Sequence, residues 1–244
     1  MKATPEAQAR LLDLLAFDTR VQQLAHRSSS LPERAELTEL ESAAGAVRAQ
    51  LLEQTGARED TELEIRRIES DVEVVNARIA RDNERLESSS SVKDVAGLEA
   101  ELTSLRTRLT NLEDIELALM ETLEEREKAE QGTRQEFDEL QSRISDAQVR
   151  RDAALSEVDA ERATIVGARA TLVESIPADL VALYEKQRER YGVGASHLRG
   201  GVSSASGVKL HESDLAEIRA AAPDDVVFCP SSSAILVRTA ESGL

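Results

Sequence analysis

Few residues in this chain belong to the types that carry out covalent or acid–base chemistry. Its single cysteine is Cys229, and its three histidines, His26, His197 and His211, are scattered along the sequence. A nucleophilic cysteine requires a nearby base and a group that orients that base, and the sequence around Cys229 contains no such pattern. We therefore expect Cys229 to be structural and each histidine to lie at the surface or in a turn.

Glycines and carboxylates form two further patterns that could indicate a functional site. Gly192 and Gly194 are spaced as in a dinucleotide-binding loop, but the third glycine and the preceding buried strand are missing, so we predict a hinge. Carboxylates are abundant on helix faces, whereas a catalytic acid–base pair has to converge in a concave pocket. We expect no catalytic residues and no enzyme activity. The remaining enzyme hypothesis is an unrecognised pocket between the helices and the C-terminal region.

The elements that could position such residues follow from the composition. Of the 244 residues, 32% are charged and only 2% are aromatic, which is typical of long helices that bury a narrow seam instead of a thick core. The 47 acidic and 30 basic side chains give a net charge of -17. This charge opposes binding to phosphate backbones, so we expect nucleic acid to bind weakly.

The N-terminal sequence predicts neither a signal peptide nor a membrane span. Its best apolar run, Leu11 to Phe17, is interrupted by Asp13. A single cysteine excludes an internal disulfide and is consistent with a reducing compartment. We expect a cytoplasmic protein without membrane contact and without a cofactor.

Apolar residues at heptad spacing form the strongest pattern in the sequence. Ser30, followed by Pro32 and Glu33, predicts a serine-capped helix start. The four serines at 88–91 predict a turn, after which the apolar stripe resumes. The stripe before the turn consists of Leu37, Leu40, Ala44, Val47, Leu51, Ile65, Ile68, Val72, Val75, Ile79 and Leu86. Two long helices joined by so short a turn must run antiparallel.

A further helix beginning near Pro5 is expected to cover the end of the last long helix, at about 149–172, because the two arms are unequal in length.

We predict a mainly α protein built on a long antiparallel coiled-coil hairpin of three helices. Residues 1–176 form the elongated coiled-coil domain, 177–191 a connecting helix and 192–244 a small α+β domain. Bends or fraying are expected where the seam is polar, at Gln54, Gly56, Arg58, Thr61, Arg126, Glu130, Gly132 and Thr133.

The C-terminal region differs in composition from the rest of the chain. It is rich in glycine and close to neutral, and its strand-like runs predict two hairpin-like units separated by a short helix from Ser213 to about Ala221. Its expected apolar core consists of Val202, Val208, Leu210, Phe228, Ile235 and Val237.

Several stretches resemble the bacterial coiled-coil proteins with a C-terminal C4-type zinc ribbon, and in particular their actinobacterial members. The matching stretches are P-x-D-L-x-x-L-Y at 177–184, the glycine-rich run at 192–201, S-D-L-A-E-I at 213–218, V-V-x-C-P at 226–230 and A-I-L-V-R-T at 234–239. The resemblance implies that the small domain is zinc-ribbon-like.

The resemblance also implies the positions of the metal ligands. In that family, two C-x-x-C knuckles hold zinc, and the four ligand positions fall here on Ser203, Ser206, Cys229 and Ser232. Because a serine hydroxyl stays protonated near neutral pH and ligates zinc poorly, we expect a degenerate ribbon without a metal site. Zinc is therefore a cofactor of the family and not one expected of this chain.

Two functional hypotheses remain besides catalysis. The first is a non-enzymatic adaptor or scaffold that binds protein partners through its helices and its small domain. The alternative is a nucleic-acid-binding protein of the zinc-ribbon type, with a role in transcription or RNA regulation, against which the net charge of -17 counts. The sequence identifies neither the partner nor the oligomeric state.

We predict that the chain is an elongated rod in solution. Helices rise 1.5 Å per residue, so the arm from residue 31 to 86 should be roughly 80 Å long. Small-angle X-ray scattering should give a maximum dimension far above that of a globular protein of the same mass. A compact scattering profile would contradict the two-arm prediction.

Overall fold

The computed structural model describes residues 1–244. Its helices are α1 (Pro5–Ser29), α2 (Pro32–Ser88), α3 (Val92–Glu174), α4 (Ala178–Tyr191) and α5 (Glu212–Ala220). Its strands are β1 (Ala195–Arg199), β2 (Val202–Ser203), β3 (Val227–Phe228) and β4 (Ile235–Val237), followed by a short 3-10 helix (Ala240–Ser242). The predicted fold class, a mainly α protein with a long coiled-coil hairpin and a small C-terminal sheet, is confirmed.

The chain divides into two units. The hairpin unit contains residues 35–149, and the terminal unit contains residues 1–34 and 150–244. Each unit has apolar clusters of its own. No helix of the chain combines the length and the apolar character needed to cross a lipid bilayer.

The helix boundaries follow the local sequence, with one exception. The expected N-cap role of Ser30 is wrong, because Ser30 is instead the C-cap of α1 and its hydroxyl donates to the carbonyl of His26 at 2.8 Å. Helix α2 begins at Pro32, whose fixed φ suits a first helical position. The serine turn is as expected, and the Ser91 hydroxyl accepts a long hydrogen bond of 3.5 Å from the Asp94 amide.

The hairpin unit is held together by the apolar seam that the heptad pattern predicts. Residues early in α2 pack against residues late in this unit's part of α3, so the two helices run antiparallel. One buried cluster consists of Leu37, Leu40, Ala44, Leu140, Ile144 and Ala147. A second consists of Val75, Leu105 and Leu112.

A polar layer interrupts the apolar seam between these clusters. The Glu130 carboxylate accepts hydrogen bonds from the Thr55 hydroxyl at 2.9 Å and from Arg58 Nε at 2.7 Å. Arg126 donates to the hydroxyl of Thr61, which is only 2% exposed. Both helices are continuous here, so the expectation of fraying is wrong. The polar side chains bond to one another across the seam, which satisfies them without unwinding either helix.

In the terminal unit, α1 lies beside the last part of α3, as the unequal arms predict. Arg20 forms an ion pair with Glu161 at 2.5 Å, and Asp18 forms one with Arg169 at 2.7 Å. Nearer the end of α3, Arg10 donates to the carbonyl of Ser175. These contacts place α1 along the last part of α3.

The terminal unit also contains a four-stranded sheet in the order β2-β1-β4-β3. The β1–β2 and β3–β4 pairs are antiparallel, whereas β1 and β4 are parallel. Strand β4 is buried on both faces, because Ile235 and Val237 pack against α1 and α4 while Leu236 packs against α5. The sheet therefore lies between two helical layers.

The expected core of the small domain is only half correct. Leu210, Ile235 and Val237 are buried, but Val202, Val208 and Phe228 are exposed. The exposed residues lie on the two-residue edge strands or in the loop after β2, where no helix covers their side chains. Their places in the core are taken by Leu198, Leu215, Ile218, Cys229 and Leu236.

We predict that Glu130→Gln destabilises the chain by about 1 kcal/mol near neutral pH, because it removes a charged acceptor from the polar layer. The hydroxyl of Thr55 and the guanidinium of Arg58 hold the pKa of Glu130 below its usual range despite the opposing effect of burial. The carboxylate therefore stabilises the fold above the ordinary glutamate pKa, and this contribution is lost as the pH falls through the lower folded-state pKa.

Thermal unfolding followed by circular dichroism should show the difference between the wild type and E130Q at pH 7, and the difference should shrink as the pH falls below the ordinary glutamate pKa and through the lower folded-state pKa of Glu130. Glu127→Gln on the same helix is the control, since Glu127 is exposed. An equal effect of both variants, or a pH-independent effect of E130Q, would contradict the assignment.

Candidate functional site

The four positions to which the resemblance assigns zinc ligands lie on two turns of matching backbone geometry. After β2, the Gly207 amide donates to the carbonyl of Ser203 at 2.8 Å, and between β3 and β4 the Ser233 amide donates to the carbonyl of Cys229, also at 2.8 Å. Gly207 has φ 66° and Ser233 has φ 59°. Both values lie in the left-handed region that is unusual for a serine. The two turns therefore share one backbone design.

The structure brings two of the four positions into contact. Cys229 is 1% exposed, and its thiol donates a hydrogen bond of 3.2 Å to the hydroxyl of Ser203. The Ser203 oxygen is in turn 2.7 Å from the hydroxyl of Ser196 on β1. These three residues form a buried group that we call the Cys229 cluster.

The other two positions, Ser206 and Ser232, lie outside the Cys229 cluster. The Ser206 hydroxyl accepts a hydrogen bond from the Val208 amide at 3.3 Å, within its own turn. The Ser232 hydroxyl is buried and has no hydrogen bond of regular geometry. Burial tends to raise the pKa of the Cys229 thiol, but the hydroxyls of Ser203 and Ser232 and nearby backbone amides outweigh it, so the net pKa lies below the usual value.

These residues do not fit a structural zinc ion. Such a site needs several thiolates or neutral imidazoles, and the two turns supply one thiol and three hydroxyls. No three side chains of the His, Cys, Asp and Glu types lie close enough together to hold a metal ion. The Cys229 thiol is buried in an apolar cluster with Leu198, Leu215 and Leu236.

Two of the three histidines lie at helix ends, whereas His197 is a half-buried strand residue and not the surface or turn residue expected. The His197 imidazole, at the middle of β1, is hydrogen-bonded to the Thr239 hydroxyl at 2.8 Å. His211 precedes α5 as its N-cap, without a side-chain capping bond. His26 lies in the last turn of α1.

An apolar groove runs along α1 in the terminal unit. It has a volume of about 420 Å³ and is lined by Leu12, Leu15, Ala16, Thr19, Arg20, Gln23 and His197. A second groove, of about 540 Å³, lies between α1 and the end of α3 and is lined by Asp13, Ala16, Phe17, Ala168, Thr171, Leu172 and Ser175. Ala16 lines both grooves.

The side chain that organises this end of the molecule is Asp18, which is buried. Its carboxylate accepts hydrogen bonds from Tyr184 Oη at 2.7 Å, from Arg169 Nε at 2.7 Å and from Arg188 Nη1 at 3.1 Å. Burial and the bond to Asp18 raise the pKa of Tyr184, and the hydrogen bond to Asp18 raises that of Arg169. Glu185 accepts from both arginines. We call these five residues the Asp18 network.

The two glycines after α4 allow the chain to end the helix and to pass close to the Tyr184 ring. Gly192 has φ 81° and ends α4, with its amide donating to the carbonyl of Arg188. A Cβ atom on Gly194 would lie only 2.5 Å from the Tyr184 ring. In place of the predicted hinge, the structure therefore shows a helix cap and a close approach between backbone and ring.

Sequence reasoning missed the Asp18 network and the role of Arg238. The Arg238 guanidinium donates to five backbone carbonyls, those of Ile218, Ala221, Ala222, Pro223 and Asp225. The arginine was visible within the A-I-L-V-R-T stretch as the one charged residue next to a buried strand. Asp18 was visible as an acidic residue between apolar positions of α1.

Comparisons with known proteins agree with this architecture. A family model described as a CT398-like coiled coil hairpin domain matches residues 14–192. The chain belongs to the CT398-like coiled-coil hairpin family. The uncharacterized protein Rv2229c of Mycobacterium tuberculosis strain H37Rv is 36% identical over 242 residues, which cover 98% of each chain.

Two solved structures are also similar in fold to this chain. A Mycobacterium smegmatis protein is similar with a TM-score of 0.90 and 37% identity, covering 98% of this chain and 100% of its own. CT398 from Chlamydia trachomatis has a TM-score of 0.69 at 17% identity, covering 95% and 97%, and so shows the shared fold alone. The resemblance to bacterial coiled-coil proteins is confirmed. The family model ends before β1, so the zinc ribbon stays a prediction.

We predict that this CT398-like chain folds without zinc and tolerates a chelator, because one thiol cannot supply the binding free energy on which four-cysteine ribbons depend. Elemental analysis should find no stoichiometric zinc, and melting curves with and without EDTA should coincide. Stoichiometric zinc, or unfolding of the C-terminal sheet on chelation, would contradict this.

The matched gain-of-function variant combines Ser203→Cys, Ser206→Cys and Ser232→Cys. It should bind zinc, since the two turns keep matching backbone geometry. Failure of that variant to bind zinc would show that the turns no longer bring the four positions together.

Proposed function

We propose that the chain is a non-enzymatic adaptor that binds protein partners. The observation that carries this proposal is the apolar groove along α1 in the terminal unit, with a second groove that adjoins it at Ala16 and lies between α1 and α3. Partly exposed leucines beside a small side chain are suited to a partner's apolar side chains.

The contact would centre on Ala16, because its small side chain lines both grooves. Leu12 and Leu15 are half-buried and offer apolar area on one side, while Phe17 and Leu172 do so on the other. A partner helix laid along α1 could therefore approach closely and contact both sides.

The charge of the chain supports a protein partner over a nucleic acid. With a net charge of -17, the chain repels phosphate backbones, whereas nucleic-acid binding is driven by neutralising phosphates with Lys and Arg. Arg20, which lines the first groove and is the one Lys or Arg residue in the lining of either groove, is already paired with Glu161. Nothing observed in the terminal unit favours the nucleic-acid alternative.

Substitution of Ala16 by arginine tests the proposal in the full chain. Ala16→Arg places a long charged side chain where the two grooves meet. It should abolish the capture of specific proteins from a lysate of the source cells, as measured by quantitative mass spectrometry. Ala163→Arg is the matched control, because Ala163 is exposed on α3 and lines neither groove.

The expected result is a set of proteins retained by the wild type and by A163R, and lost by at least about tenfold with A16R. Circular dichroism should show that both variants keep the helical content of the wild type. Capture of identical sets by A16R and A163R, or enrichment of nucleic acid in place of protein, would contradict the proposal.

A further inference from the structure

A second apolar stripe runs along α2 within the hairpin unit. Leu52, Leu63 and Val74 are 76%, 58% and 65% exposed, respectively. They are spaced eleven residues apart, which is close to three helical turns, so all three lie on one face. At about 100° per residue, this face is opposite the seam positions Ile65, which is buried, and Val72, which is half-buried. We call it the outer stripe.

The outer stripe offers room for another helix. Gly45 and Gly56 lie on the same face at the same spacing, and a Cβ atom on either would meet no neighbouring atom. A groove of about 460 Å³ opens beside Leu52, lined by Gly45, Arg48, Ala49, Leu51, Leu52, Thr55 and Arg134. Missing side chains at these positions let two backbones approach closely.

The charges around Leu63 indicate what fits this face. Glu59 and Arg66 flank the stripe on one side, and Asp60 and Arg67 flank it on the other. All four residues are exposed. On each side an acidic residue precedes Leu63 and a basic residue follows it, so reversing the direction of the helix exchanges the two signs.

We propose that two copies of the chain associate through the outer stripe in antiparallel orientation, with a two-fold axis at Leu63. Leu63 then faces Leu63 of the second copy, and Leu52 faces its Val74. Glu59 faces Arg66 of the second copy and Asp60 faces its Arg67. The two-fold symmetry repeats each of these contacts, which gives four ion pairs around one leucine pair.

The same charges oppose a parallel pairing. In a parallel dimer, Glu59 of one copy would lie beside Asp60 of the other at nearly the same position along the helix axis. Arg66 of one copy would likewise lie beside Arg67 of the other. Exposed ion pairs contribute little affinity individually, but like charges at the centre of an interface select against the wrong orientation. The apolar stripe supplies the attraction and the charges fix the direction.

The inference is independent of the adaptor proposal, since the outer stripe belongs to the hairpin unit and the α1 groove to the terminal unit. Sedimentation equilibrium of the full chain at about 0.15 M ionic strength, which screens the overall repulsion between acidic copies, should show a monomer–dimer equilibrium. Ala16→Arg should leave that equilibrium unchanged, so failure of either proposal is distinguishable from failure of the other.

Leu63→Glu should raise the dimer dissociation constant by at least about tenfold, because it places two carboxylates against each other on the two-fold axis. Ile115→Glu on α3 is the matched control, since Ile115 is also exposed, and it should have no effect. A dimer that persists in L63E, or a wild type that stays monomeric up to about 1 mM, would overturn the proposal.

Charge reversal tests the orientation. Glu59→Arg with Asp60→Arg should abolish the dimer, and adding Arg66→Glu and Arg67→Glu should restore it, because every pair is then opposite again. Leu63→Cys should be cross-linked to itself by a short bismaleimide, whereas Val74→Cys should be cross-linked only when mixed with Leu52→Cys. Self-linking of V74C would indicate a parallel pair and overturn the antiparallel assignment.

Discussion

A carboxylate buried away from water is stable only when its oxygens are hydrogen-bonded and its charge is compensated. Asp18 meets both conditions through Tyr184, Arg169 and Arg188. These partners lie on α3 and α4, so one side chain of α1 determines how three helices meet in the terminal unit. The sheet depends on the same arrangement, because Tyr184 and strand β4 share the apolar cluster that α1 closes, and Gly194 leaves the space that the Tyr184 ring occupies.

In the hairpin unit, hydrogen-bonded polar side chains fix the register of two helices. A purely apolar seam allows one helix to slide along the other by a heptad at little cost, whereas a polar layer has to meet its own partners. Glu130 can bond to Thr55 and Arg58 in only one register. A slipped register would leave a largely buried carboxylate unpaired, so this layer specifies alignment while the leucines on either side supply the attraction.

The Cys229 cluster shows how two turns of matching backbone geometry contact each other through one thiol and neighbouring hydroxyls. The backbone of each turn is closed by its own hydrogen bond, and the single thiol packs among Leu198, Leu215 and Leu236. The Ser203 hydroxyl bonds to the thiol and to the hydroxyl of Ser196, whereas the Ser206 hydroxyl bonds within its own turn. Apolar contacts and the many hydrogen bonds of Arg238 therefore contribute the local order that thiolate–metal bonds supply in four-cysteine ribbons.

The sequence by itself determined the helices, the serine turn and the antiparallel pairing, because heptad spacing and turn residues act over a few neighbouring positions. The resemblance pointed to Ser203, Ser206, Cys229 and Ser232, and these positions lie on two turns of matching backbone geometry. Only the tertiary structure decided which residues of the small domain are buried, since Phe228 and Val202 lie on edge strands whose outer faces no helix covers. The partners of Asp18 lie up to 170 residues away, and no local pattern encodes a contact of that range.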